Sequence, residues 1–240
     1  MSLFLFVAVV ILVALHLAAG AMRFLDGVPR SRWLSAAGGV SVAYVLVHLL
    51  PELARYQELW SEGDIDVPWF ETEVYVVALI GLVAFYGIEI HTRGARKAKS
   101  DAGRVSRAAF AVSVSAYALY NLIVGYLLVE RAAVSVGDLA LFTTAMGLHF
   151  VVNDFGLREH DGAAYARYGR WVLAFAVVAG TVLGLYREVP VEAVAALLAV
   201  LGGGVILNVL KEELPAERDS RFLPFLVGAA LYALLLVQLA

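Results

Sequence analysis

Two short stretches hold the groups that could do chemistry. LHFVVNDFG, Leu148 to Gly156, puts an imidazole, an amide and a carboxyl into an apolar run that begins at Leu139. YNLIVG, Tyr120 to Gly125, interrupts an earlier apolar run with a phenol and an amide. Ionisable groups are costly in hydrocarbon, so an ionisable residue inside a membrane span marks a functional site when a partner for it can be named. His149 falls about ten residues into its run, roughly 15 Å down a helix and near the bilayer midplane. Asn153 lies four residues on and shares its face, whereas Asp154 points about 100° away from Asn153. Tyr120 and Asn121 reach a similar depth from the neighbouring run. Imidazole, carboxylate and amide oxygens are groups that zinc, iron or manganese can share, so these residues suit a cation. Hydrogen bonding across helices, with Gly125 and Gly147 permitting close approach, accounts for the same residue types and stays open beside the metal reading.

The elements that must position these groups follow from composition. Of 240 residues, 62% are hydrophobic and 16% charged, and mean hydropathy is +0.82. Soluble domains carry about 25% charged residues. An all-α integral membrane protein is expected, and the absence of cysteine excludes disulfides, thiolate metal sites and a cysteine nucleophile. A span needs roughly 20 apolar residues. Eight such segments run approximately Leu3 to Met22, Trp33 to Leu50, Val74 to Ile90, Ala108 to Val129, Leu139 to Phe155, Trp171 to Tyr186, Val191 to Leu210 and Phe222 to Leu239. They form a single domain over residues 1–240, whose amino terminus reads as the first span rather than a cleaved signal. Fifteen of the 18 basic residues fall in the odd-numbered loops, leaving only Arg55, Arg131 and Arg187 in the even ones. Basic loops stay inside, which predicts a plasma-membrane protein with both termini outside.

The loop from about 51 to 73 is acidic and faces outside in this arrangement; an acidic mouth would concentrate cations. The loop from about 92 to 107 is basic and suits anionic headgroups, with no nucleic-acid partner implied. Span two ends in HLLPEL, His48 to Leu53, and span seven in KEELPAE, Lys211 to Glu217; both also hold small-residue clusters, Ala36 to Gly39 and Gly202 to Gly204. Similar helices of opposite direction suggest an inverted repeat, spans one to three mirrored by six to eight around spans four and five. His16 and His48 are isolated polar residues for which a core hydrogen bond is expected, with a place on a pathway open for either. Glu212 and Glu213 would line the inner exit.

These features together resemble the ZIP family of divalent-metal transporters. In that family span four carries a motif of the form HNFxDG and span five one of the form HExPHExG. YNLIVG keeps Asn121 and Gly125, with Tyr120 for the histidine and Val124 for the acid. HFVVNDFG keeps His149 and Gly156, with Asn153 for the second histidine, Asp154 for the second acid, Phe150 for the first glutamate and Val152 for the proline. The resemblance implies a carrier, and not an enzyme, that moves a divalent cation inward. Zinc is favoured over iron or manganese, with Asn121, His149, Asn153 and Asp154 as the metal set and a homodimer among the allowed assemblies. Two alternatives remain. One is a homologue that has lost transport and serves in regulation or as a scaffold. The other is an intramembrane metal-dependent hydrolase, for which no pair of histidines stands at HxxxH or HExxH spacing.

Overall fold

The computed structural model describes residues 2–21, 32–61, 73–100, 107–187, 189–210 and 221–239. Among these the chain is helical and contains no strand. Nine α-helices are described: α1 Leu3–Ala18, α2 Arg32–Tyr44, α3 Leu50–Ser61, α4 Glu73–Ser100, α5 Arg107–Val134, α6 Val136–Ala164, α7 Arg170–Tyr186, α8 Val191–Asn208 and α9 Phe222–Leu239. Five helical stretches are long and apolar enough to cross a membrane: 32–59, 110–134, 136–158, 162–186 and 191–208. Three shorter apolar helices lie at 3–18, 73–88 and 222–238. Large apolar side chains point outward all along them, Phe175 and Val237 each being 71% exposed. Such a surface suits lipid, and helices, which satisfy their own backbone, are what lipid tolerates.

Two expected loop boundaries move. Span two does not leave its helix at Pro51. Proline cannot donate to the Val47 carbonyl, and the chain absorbs the loss in a π turn, Val45–Leu49, where the Leu50 N–H reaches back to the Val45 carbonyl. The helix then continues as α3 to Ser61, so Glu52 and Glu58 ride on a helix, and Glu52 is buried. The rest of the expected acidic loop, residues 62–72, lies outside the described residues. On the other side α4 runs to Ser100, through the first part of the expected basic loop.

The chain divides into two compact units. The first comprises Met1–Gly27 and Tyr86–Arg187. In it α5 and α7 lie close together because glycine removes the side chains between them. Gly125 faces the Val177 carbonyl and Gly180 the Leu122 carbonyl, and Gly184 packs on Val129. From Phe110 beside Gly169, through Asn121 beside Leu173, to Val129 beside Gly184 the partner numbers rise together, so α5 and α7 run in the same direction. Tyr120 meets Met146 and His149 on α6 while Asn121 reaches Leu173 on α7. The chain therefore doubles back after Asp154, remaining helical through the bend and closing it with a π turn at Tyr165–Gly169. Gly169 there seats the rings of Tyr165 and Phe110.

The second unit comprises Val28–Phe85 and Glu188–Ala240. In it α2 packs on α9 through Gly39 against Phe225 and Gly228 against Ala36. The triple glycine of α8 is a packing seat: Gly203 meets the Ala78 backbone, Gly202 the Leu49 and Leu53 side chains, and Gly204 the Phe85 ring.

Candidate functional site

The polar centre lies in the first unit and is organised by His16, at the last turn of α1. Its Nδ1 is 2.7 Å from Asp154 Oδ2, and its Nε2 is 2.9 Å from Asn121 Nδ2. The Asn121 amide nitrogen also donates to the Leu173 carbonyl at 3.3 Å. That carbonyl can only accept, which fixes the amide with its nitrogen toward both neighbours. An amide nitrogen cannot accept, so His16 Nε2 is the acceptor and the ring proton sits on Nδ1, donated to Asp154. The imidazole in this arrangement is neutral.

The same place closes the end of α1. A helix leaves its last four carbonyls without partners. Two of this terminus are taken by side chains: Tyr165 Oη donates to the His16 carbonyl at 3.1 Å, and Arg158 Nη1 to the Ala19 carbonyl at 2.9 Å. Arg158 also brings positive charge to the negative end of the helix dipole. The Tyr165 ring packs with Ala19, Leu157 and Leu173. Its hydroxyl lies beside the Asp154 carboxylate too, but its one proton serves the carbonyl.

Asp154 is 1% exposed, and among the described residues its second oxygen, Oδ1, accepts no hydrogen bond. The same holds for Oδ1 of the adjacent buried Asn153. A carboxylate half-satisfied in an apolar bundle is costly, and such a group ordinarily takes a proton or holds a cation.

Of the four expected ligands, Asn121 and Asp154 are brought to one imidazole, and that imidazole is His16. His149 is buried with its ring against Tyr120, centroids 5.4 Å apart. Phe150 packs on the His16 ring, centroids 4.5 Å apart, and lies 6.4 Å from the Tyr120 ring. The residue standing where the resemblance would have a glutamate is thus an aromatic ring packed on His16. Tyr120 Oη contacts Met146 Sδ at 3.6 Å. Among the described residues, no three of histidine, cysteine, aspartate and glutamate converge as a metal-holding group. His48 belongs to the second unit, on the π turn, with Nε2 3.7 Å from Glu52 Oε2 and its ring 5.5 Å from Tyr44. Glu212 and Glu213 lie outside the described residues.

Reading the spans in order sets His16 apart as a residue making a core hydrogen bond, and it makes two. What joins it to the site is the packing of α1 along α6, Leu12 and Leu15 against Gly147, which carries the first span's histidine to Asp154. The one cue in the sequence is that a buried aspartate needs a partner and the chain has only five histidines.

The fold and this site together define the make-up of a helical membrane protein with a buried, incompletely satisfied carboxylate at its polar centre. The chain matches no protein-family model and no curated protein.

Proposed function

We propose that the protein is a ZIP-like carrier that moves a divalent cation, zinc foremost, toward the cytoplasm. It would cross the plasma membrane eight times with both termini outside. The observation that carries this reading is Asp154: a buried carboxylate with one oxygen on a neutral imidazole and the other, among the described residues, without a hydrogen bond. A cation there would find one anionic ligand, with His16 and the amides of Asn121 and Asn153 close by in sequence or space. One carboxylate with amide oxygens, beside an imidazole already held by Asn121, makes a weak site, which suits passage better than storage. His149 and Tyr120 would border the path rather than coordinate, and Glu212 and Glu213 would receive the ion at the inner end. The inverted repeat of spans one to three and six to eight, and a homodimeric assembly, belong to the same reading.

A regulatory or scaffold role is the second reading. It is favoured by the mutual satisfaction of His16, Asn121 and the Leu173 carbonyl, which leaves neither ring nitrogen open.

The two readings separate in proteoliposomes loaded with the wild type, Asp154→Asn or His149→Ala, measuring uptake of radiolabelled zinc, manganese and iron. Carriage predicts a wild-type flux that Asp154→Asn abolishes and His149→Ala reduces. Wild-type flux no greater than in protein-free vesicles, or flux indifferent to Asp154→Asn, would remove the transport reading.

A further inference from the structure

A second site lies on the outside of the first unit. The beginnings of α5 and α7 and the bend before α7 enclose a cleft of about 580 Å3, within the range of roughly 300–1,000 Å3 typical of small-molecule sites. Its walls are mostly apolar, with Phe110, Val114 and Val172 prominent, and its polar groups are Ser115, Arg167 and Tyr168. None of the nine lining residues is acidic. The Arg167 guanidinium stands 5.2 Å over the Tyr168 ring, and Arg170 likewise lies 5.2 Å over Trp171. Tyr168 and Trp171 are both more than half exposed, and the exposed residues that follow along α7, Val172, Phe175 and Val178, are apolar. Arginine and amphipathic aromatics at one end of an apolar helix mark the boundary between headgroups and hydrocarbon.

The cleft therefore opens at the membrane surface with a cation at its mouth and an apolar slot below. We infer that it binds an anionic phospholipid, phosphate on Arg167 and an acyl chain between α5 and α7. Ser115 lies five residues beyond Phe110, about 7 Å deeper at 1.5 Å per residue, at the level where a glycerol ester carbonyl could accept its hydroxyl proton. The apolar walls favour a lipid over a free phosphate, which would leave them unfilled. Basic clefts between membrane helices at a bilayer surface are a recognised way of holding anionic headgroups. The inference requires only that the helices lie in a bilayer and is independent of cation carriage.

The test is native mass spectrometry of the full chain in detergent, titrated with equimolar phosphatidylglycerol and phosphatidylcholine. One arginine near a headgroup corresponds to about a fivefold preference for the anionic lipid. The wild type is expected to show that preference, and Arg167→Gln to lose it while still retaining phosphatidylcholine. Ala111→Trp, at an exposed position lining the cleft, should reduce retention of both lipids. Arg187→Gln, at the other end of α7, should change nothing. Equal retention of the two lipids by the wild type, or an undiminished preference in Arg167→Gln, would overturn the inference. So would displacement of phosphatidylglycerol by inorganic phosphate, which would assign the cleft to a soluble anion.

Discussion

Replacing His16 by leucine tests the polar centre most directly. The substitution keeps an apolar side chain of similar bulk in α1 but removes the 2.7 Å contact to Asp154 and the 2.9 Å contact to Asn121. A hydrogen bond to a charged group contributes about 1.5–3 kcal/mol and a neutral one about 0.5–1.5 kcal/mol. Interhelical hydrogen bonds in bilayers average only about 0.6 kcal/mol, which argues for the lower end of both ranges. The expected destabilisation is then about 2 kcal/mol, or a fall of about 4–8 °C in Tm for a chain of this size. Asp154 loses its imidazole partner, and much of the loss is the cost of leaving that carboxyl buried without it. For that reason His16→Leu/Asp154→Leu should be more stable than His16→Leu, since removing both members of a buried pair is often neutral whereas removing one is not. Thermal unfolding of the four proteins in one detergent, followed by circular dichroism, reads the cycle. A His16→Leu protein melting with the wild type would refute the reasoning. So would a double variant whose loss equals the sum of the two single losses, because the two residues would then not interact. The double variant should also be inactive in cation uptake despite its recovered stability, which separates the site's chemistry from its contribution to folding.

Two further outcomes follow from packing and capping. Gly180→Leu should prevent α7 from closing on α5, since even a Cβ there meets the Leu122 carbonyl, and the protein should shift to aggregate on gel filtration; Gly156→Ala, where a Cβ meets nothing within 4 Å, should elute as the wild type does. Gln57 reaches from α3 to the start of α4, its Oε1 accepting from the Val74 N–H at 2.9 Å and its Nε2 donating to Glu73 at 3.0 Å. Gln57→Ala should therefore cost about 1 kcal/mol, the usual worth of a helix N-terminal cap, and hydrogen exchange should quicken at the first amides of α4.

Much of the architecture was legible because apolar length is a one-dimensional property. A run of some 20 residues without charge has few fates besides a helix in lipid; five of the expected segments fall on helical stretches long and apolar enough to cross a membrane, and the other three fall on shorter apolar helices. Helix ends were less legible. Pro51 is a stop signal in isolation, yet a π turn just before it lets the helix run on to Ser61. The basic segment after Phe155 has the composition of a loop, yet the chain turns there while staying helical. Local residue types cannot decide such cases, because the alternatives differ by a few hydrogen bonds that neighbouring helices supply.

The sequence by itself determined that the chain is apolar, helical and cysteine-free, and that its costly polar groups concentrate in Tyr120, Asn121, His149, Asn153 and Asp154. Spacing along one helix settles which of these share a face, since that is a matter of 3.6 residues per turn. Only the tertiary structure decided who meets whom. Asn121 and Asp154 are joined by His16, more than a hundred residues away along the chain, while His149 packs against Tyr120. The physical reason is that helices in a bilayer choose partners by the fit of small residues such as Gly125, Gly147 and Gly180, and that fit exists only between surfaces, never within a single stretch of chain.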